Sequence, residues 1–174
     1  EIFTVNAALG ARPSEISEQW ITMPDAPRPE DCEPGEHWRG AGFGLHSRIE
    51  VRVAKGRYGD DRTGNPEEDG RSLLWIRPKE RFAIDATMLA IMADHVPSGI
   101  GNALGKNAGG NSLDNTLRIR RIVPTEWVLC DIRILGVHGG FGHGAMYLFA
   151  QDGELMATAS QSLIVRVRES AEDR

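Results

Sequence analysis

The sequence is short of several things, and each shortage closes off a class of function. It has two cysteines, Cys32 and Cys130, far apart and outside any CxxC pair, which argues against a disulfide framework and a thiolate zinc site. It lacks positive charge: 20 Lys and Arg against 25 Asp and Glu leave a formal net charge of −5, the wrong balance for a nucleic-acid partner. No apolar run approaches the roughly 20 residues that cross a bilayer as a helix, which speaks against a membrane partner. No basic start followed by an apolar stretch marks a secretory signal, so the expected location is cytoplasmic. Lysine is scarce as well; 17 of the 20 basic residues are arginine, which reads as compositional bias. There is no fixed-period repeat and no GxSxG nucleophile elbow. What remains is a globular chain of 174 residues, 40% of them from the AVILMFWYC set, enough for one well-packed domain.

The chain starts at Glu1 with an extended-looking stretch at residues 2–8, whose strand needs a partner from later strands or from upstream sequence. Residues 23–36 hold four prolines and five acidic residues and read as a crossover. Residues 48–53 and 73–77 read as strands, expected to pair antiparallel across the polar turn 56–71. The one strong helix is expected over 84–96, apolar nearly all round and ended by Pro97 and Gly99. Residues 99–111 read as a glycine-rich loop. Four strands follow, over 112–122, 127–138, 141–150 and 155–167, with Gln151-Asp152-Gly153-Glu154 turning the last two into a hairpin. A buried helix followed by antiparallel strands predicts an α+β domain, a sheet wrapped around a helix.

Three residues stand out chemically. Asp94 lies in the last turn of the apolar helix, where the helix macrodipole opposes an anion; the alternative is a carboxylate that reaches solvent or caps loop amides. Gln161 is the one polar member of the row Leu155, Ala157, Ala159, Gln161, Leu163, Val165 and Val167; the alternative is an amide satisfied by backbone groups. Ser112 opens a strand with Asp114 and Thr116 on its face, or is only a strand-end hydroxyl. His138 and His143 flank Gly139-Gly140-Phe141-Gly142, but two histidines make a weak metal site, and a bulged hairpin corner explains the glycines better. Gly40-Ala41-Gly42 and Gly99-Ile100-Gly101 lack the strand-turn-helix setting of a dinucleotide site.

The pieces Leu74-Trp75-Ile76-Arg77, Leu89-Ala90-Ile91-Met92-Ala93-Asp94, Ser112-Leu113-Asp114, Glu126-Trp127-Val128-Leu129 and residues 151–161 fall in a familiar order. Together they resemble the C-terminal half of the type II acyl-CoA thioesterases, the double-hotdog family. The resemblance implies a hotdog fold over residues 47–168, a proline-rich linker over 13–46, and residues 1–12 as a terminal strand left from an N-terminal hotdog. It implies an Asp–Ser–Gln site at Asp94, Ser112 and Gln161, which position a water against the thioester of an acyl-CoA. No cofactor and no metal are implied, and the unit is expected to pair with a second hotdog, in a homo-oligomer or otherwise. A non-catalytic acyl-CoA-binding module and an enoyl-thioester hydratase are the alternative readings; His95 beside Asp94 keeps the hydratase open. The sequence departs from the family where His95-Val96-Pro97 follows Asp94 and Ser162 follows Gln161.

Overall fold

The central helix lies against one curled sheet, but it is not buried nearly all round as expected: Met88, Leu89, Met92 and Ala93 are buried, while Ala86, Thr87 and Ala90 are exposed. The computed structural model describes residues 4–35, 44–59 and 63–168. The start of the expected strand at 2–8, Gly40-Ala41-Gly42 with the adjoining linker, and part of the polar turn lie outside the described residues. The strands are β1 (Glu33–Pro34), β2 (Ile49–Lys55), β3 (Arg71–Pro78), β4 (Ala108–Ser112), β5 (Thr116–Ile119), β6 (Val128–His138), β7 (Phe141–Ala150) and β8 (Leu155–Val167). All pair antiparallel in the order β1-β2-β3-β6-β7-β8-β4, with β5 also on β8. The β2–β3 pair and the run β6–β7–β8 stand where strands are expected from the sequence. Residues 4–12 join none of the described strands.

Both faces of the sheet centre are covered, which is why β6 is apolar almost without alternation. The inner face presents Leu74, Ile76, Cys130, Ile132, Met146 and Leu148 to the helix. The outer face presents Leu73, Trp75, Leu129 and Phe149 to a strap formed by residues 19–32, with Ile21, Met23 and Ala26 packed on it. Three hydrogen bonds hold the strap: Trp75 Nε1 to Pro27 O at 2.9 Å, Gln19 Nε2 to Gly153 O at 3.0 Å, and Leu155 N to Gln19 Oε1 at 2.7 Å. A bulge at Met156 corrects the expected row on β8. Leu148 faces Ala157 but Phe149 faces Leu155, so Met156 is extra. Leu155 is thereby turned to the outer face, while Met156 and Ala157 both reach the inner core.

The helix also differs from expectation. α1 (Ala86–Ala93) starts where Asp85 caps Met88 N at 2.9 Å and ends at Ala93. A single 3₁₀ turn over Val96–Ser98 follows, and the chain then resumes as α2 (Gly99–Leu104), closed by Gly105 at φ 64°. The expected glycine-rich loop is therefore half helix and half β4. Its glycines serve close approach rather than flexibility: a Cβ on Gly99 would come within 2.9 Å of Ile132 Cγ2. Opposite, a Cβ on Gly144 of β7 would meet Val96 Cγ1 at 2.5 Å. Pro97 removes a backbone donor at the break, which is why the rod is interrupted there. No helix among the described residues is long and apolar enough to cross a membrane.

His95 lies in this break and is 5% exposed. Its Nδ1 is 3.1 Å from Met92 O, so Nδ1 carries the proton and donates. Burial, and then the nearby His46, push its pKa down to about 4, against small opposing effects from the Met92 and Ile91 carbonyls and Asp94. The imidazole is therefore buried neutral, while the unfolded chain takes up its proton near pH 6.5. Between these two values the unfolded state binds more protons, so stability is full above pH 6.5 and falls as pH drops towards 4. The full drop is on the order of 3 kcal/mol at about 1.4 kcal/mol per unit. Urea melts at pH 7.5, 6 and 5 should show the wild type losing stability faster than His95→Asn, which keeps a donor for Met92 O and cannot titrate. Parallel losses in the two proteins would place the acid sensitivity elsewhere.

Candidate active site

One strand is expected over 112–122, but there the chain pairs only as the last residue of β4 and as β5, and the two separate opposite Gln161. From the pair Ser112–Leu163 to the pair Thr116–Ser160, this side advances four residues while β8 advances three. The extra residue bulges the chain over Leu113–Asn115. Asp114 leaves the face it was expected to share with Ser112 and accepts from Ser162 N at 2.8 Å, and Leu113 N donates to Ser162 O at 2.8 Å. Asp114 thus stitches the bulge to β8, and its role is local. The bulge leaves a gap in the ladder beside Gln161, and the C-terminal end of α1 presents Asp94 to it.

Asp94, Ser112 and Gln161 meet in that gap. Gln161 Nε2 donates to Asp94 Oδ1 at 2.7 Å and lies 3.3 Å from Ser112 Oγ. Ser112 Oγ lies 3.5 Å from Asp94 Oδ1 and closes the triangle. Gln161 is buried at 2% exposed, whereas Asp94 and Ser112 are exposed in the chain. The costly carboxylate read from the sequence therefore sits at an interrupted point of the helical rod, open to solvent, and not at the rod's end. Its penalty against the α1 dipole is offset by direct bonds from the amide and the hydroxyl. Gln161 Oε1 is buried and takes no hydrogen bond from any described residue.

Asp94 and Ser112 form one wall of a cleft of about 180 Å³; His95, Tyr58, His46 and Ile91 form much of the rest. Tyr58 is a cleft residue the sequence reading missed, because it lies in a polar turn without periodicity. It is positioned by Asn102 of α2, whose Oδ1 accepts from Arg57 N at 2.7 Å and whose Nδ2 donates to Arg57 O at 2.8 Å. His95 was visible only as the polar neighbour of Asp94. His138 and His143 are not among the residues that line this cleft. The β6–β7 hairpin turns through Gly139 and Gly140 at φ 58° and 81°, with a bulge at Leu135, and His143 Nδ1 lies 3.2 Å from Ser162 Oγ. Gly99-Ile100-Gly101 is the first turn of α2. Among the described residues no three His, Cys, Asp or Glu side chains gather as a metal site.

Solved structures resemble this fold. A putative thioesterase from Novosphingobium aromaticivorans is 35% identical, with a TM-score of 0.73 over 92% of this chain and 60% of its own. A protein of unknown function with a hotdog fold from Alicyclobacillus acidocaldarius, 20% identical, gives a TM-score of 0.73 over 91% of this chain and 60% of its own. An acyl-CoA thioesterase II from Mycobacterium marinum, 24% identical, gives 0.62 over 91% and 60%. The fold is a hotdog, and the chain spans about 60% of the length of these three structures. No curated protein matches the sequence. Residues 24–165 match the model of the acyl-CoA thioesterase C-terminal domain, a span that takes in the strap, the broken helix and nearly the whole sheet, and the chain belongs to that family.

Proposed function

We propose that the chain hydrolyses an acyl-CoA thioester to free acid and CoA, through a water positioned by Asp94, Gln161 and Ser112. The observation that supports this most directly is the 2.7 Å bond from Gln161 Nε2 to Asp94 Oδ1. That bond and the Ser112 contact both fall on Oδ1, so Oδ2 is left for a water in the cleft. In the proposed step Asp94 takes a proton from the water as its oxygen bonds to the thioester carbon. The tetrahedral oxyanion then collapses, the C–S bond breaks, and the thiolate of CoA recovers the proton from Asp94. Gln161 and Ser112 hold the carboxylate in the geometry this needs. His95 turns Nδ1 to Met92 O, and Asp94 takes its bonds from Gln161 and Ser112, which favours hydrolysis over an Asp–His hydratase arrangement.

The unit is proposed to work against a second hotdog. Leu113, next to Ser112, is 55% exposed, and Ile119 and Ile122 farther along the same stretch are 42% and 43% exposed, apolar surface that a partner would cover. Val5 and Leu9 of the N-terminal segment are also uncovered, at 74% and 94% exposed. We assign residues 1–12 to contacts with that second unit.

Release of free thiol from a panel of acyl-CoA thioesters tests the reading. Asp94→Asn keeps the shape and removes the base; hydrolysis should fall by about 10²–10⁴-fold with an unchanged melting temperature. Full activity in Asp94→Asn would remove it from the proposed role, and no thiol release from any thioester would favour a binding module. Gln161→Ala should retain more of the rate than Asp94→Asn but cost about 1–3 kcal/mol in a denaturant melt, because it empties a buried amide site. A Gln161→Ala protein as stable as the wild type would mean that the triangle contributes nothing to the fold.

A further inference from the structure

The proposed hydrolysis moves negative charge from the Asp94 carboxylate to the carbonyl oxygen of the thioester, and that oxygen then needs a hydrogen-bond donor. The side-chain donors beside Asp94 are already engaged, since Gln161 Nε2 and Ser112 Oγ both turn to Asp94 Oδ1. The N–H groups of Asp94, His95 and Ser98 are bonded to the Ile91, Met92 and His95 carbonyls, and Pro97 has none. His46 and Tyr58 close around the His95 ring instead, with centroids 5.8 and 6.4 Å from it. What remains is the edge of the sheet. β4 borders β8 on one side and, among the described residues, no strand on the other. In an antiparallel pair, successive residues turn their backbone groups alternately toward the partner and away from it. Leu113 N donates to Ser162 O and Arg168 N to Asn107 O, both at 2.8 Å, so the odd-numbered residues of this strand face β8. Val165, opposite Gly110, gives its N–H to Gly140 O on the other side, which agrees with that phase. Ala108, Gly110 and Ser112 therefore turn their N–H groups out to the free edge.

Of these three, Ser112 is exposed, lines the cleft and is tied by its own side chain to Asp94. Gly110 stands about 7 Å farther along the strand. Ser112 N is three covalent bonds from an Oγ that lies 3.5 Å from Asp94 Oδ1, so the N–H is within about 7 Å of the carboxylate. That interval takes a water on Asp94 and a carbonyl oxygen on the N–H, each at roughly 2.9 Å, with the carbonyl carbon between them. We propose that the backbone N–H of Ser112 donates to the thioester carbonyl oxygen and stabilises the oxyanion formed there. Ser112 then serves both ends of the charge movement. Its Oγ steadies the carboxylate that takes the proton from water, and its N–H meets the oxygen that takes the negative charge. This deepens the thioesterase reading and rests on it for the reaction, while the choice of donor is a separate claim.

The test removes the N–H and keeps the side chain. Cell-free translation of the full chain with the α-hydroxy analogue of serine at Ser112 turns that peptide bond into an ester. The α-hydroxy analogue of alanine at Ala108 is the control, on the same free edge but outside the cleft lining. Thiol release from acyl-CoA thioesters should be about 10²–10³-fold lower in kcat for the Ser112 ester than for the Ala108 ester. Binding of an S-alkyl CoA thioether, which has no carbonyl oxygen, should agree within about twofold between the two by calorimetry, a split that a structural lesion would not produce. In the isotope-labelled wild type, the Ser112 amide proton should move downfield when the carba analogue binds, a ketone with methylene in place of sulfur, and hold its place with the thioether. This measurement decides the matter if a melt shows the Ser112 ester unfolded. Equal kcat in the two esters, or an amide proton indifferent to the ketone, overturns the proposal and leaves the hydrolase reading standing. A Ser112 ester that loses self-association in sedimentation but not kcat gives the N–H to a neighbouring strand and also overturns it. A wild type that releases no thiol from any thioester sinks the hydrolase reading, and the donor assignment with it, so the wild-type rate tells the two failures apart.

Discussion

The site depends on a contact in which a side chain would not fit. The broken middle of the central helix rests on the sheet at Gly144, where Val96 occupies the space of a missing Cβ, and at Gly99, which brings the backbone against Ile132. Interiors packed at this density transmit displacement rather than absorb it. The seat therefore sets how far Asp94 stands from β8. Gln161 pairs with Gly144 across the β7–β8 ladder, so the residue that seats the helix and the residue that receives the carboxylate are direct neighbours. Helix position and site geometry are one constraint.

The partners of Asp94 matter as much as its position. An arginine at this point would hold the carboxylate in a bidentate ion pair and occupy both oxygens. An amide and a hydroxyl orient it while leaving it an anion with a lone pair to spare. The chain has arginines in abundance and uses them this way on the outer face, where Arg71 and Arg133 close around the fully buried Asp131. A carboxylate held by cations for structure and one held by neutral donors over a cleft stand on opposite sides of the same sheet.

Much of this was legible in the residues. The strands expected at 127–138, 141–150 and 155–167 stand as β6, β7 and β8, since a sheet buried on both faces leaves little freedom of register. Asp94 and Gln161 could be singled out because each is at odds with its local pattern, and Ser112 by its place at a strand start and by the family resemblance; the structure brings all three together. The helix 99–104 was not legible, since its glycines look like loop until the sheet beneath them is known. The bulges at Met156 and Leu113–Asn115 were also hidden, because each is decided by the strand opposite rather than by its own residues. Tyr58 and the buried His95 belong to the same class: Tyr58 is placed through Asn102, and His95 is enclosed by Tyr58 and His46 from distant segments.

The strap on the outer face bears on how the chain must be assembled in time. Gln19 is bound to Gly153 and Leu155, residues 134 and 136 positions later, at the last hairpin of the sheet. Closing so large a loop is among the costliest entropic steps in the fold, and its reward comes only once β7 and β8 are in register. During synthesis the strap emerges first and waits, while Leu73, Trp75, Leu129 and Phe149 form an apolar surface with nothing over it. Without the strap those side chains would be a continuous apolar surface, of the kind on which chains stick to one another. The order of elements along the polypeptide makes the strap the last piece to be fastened.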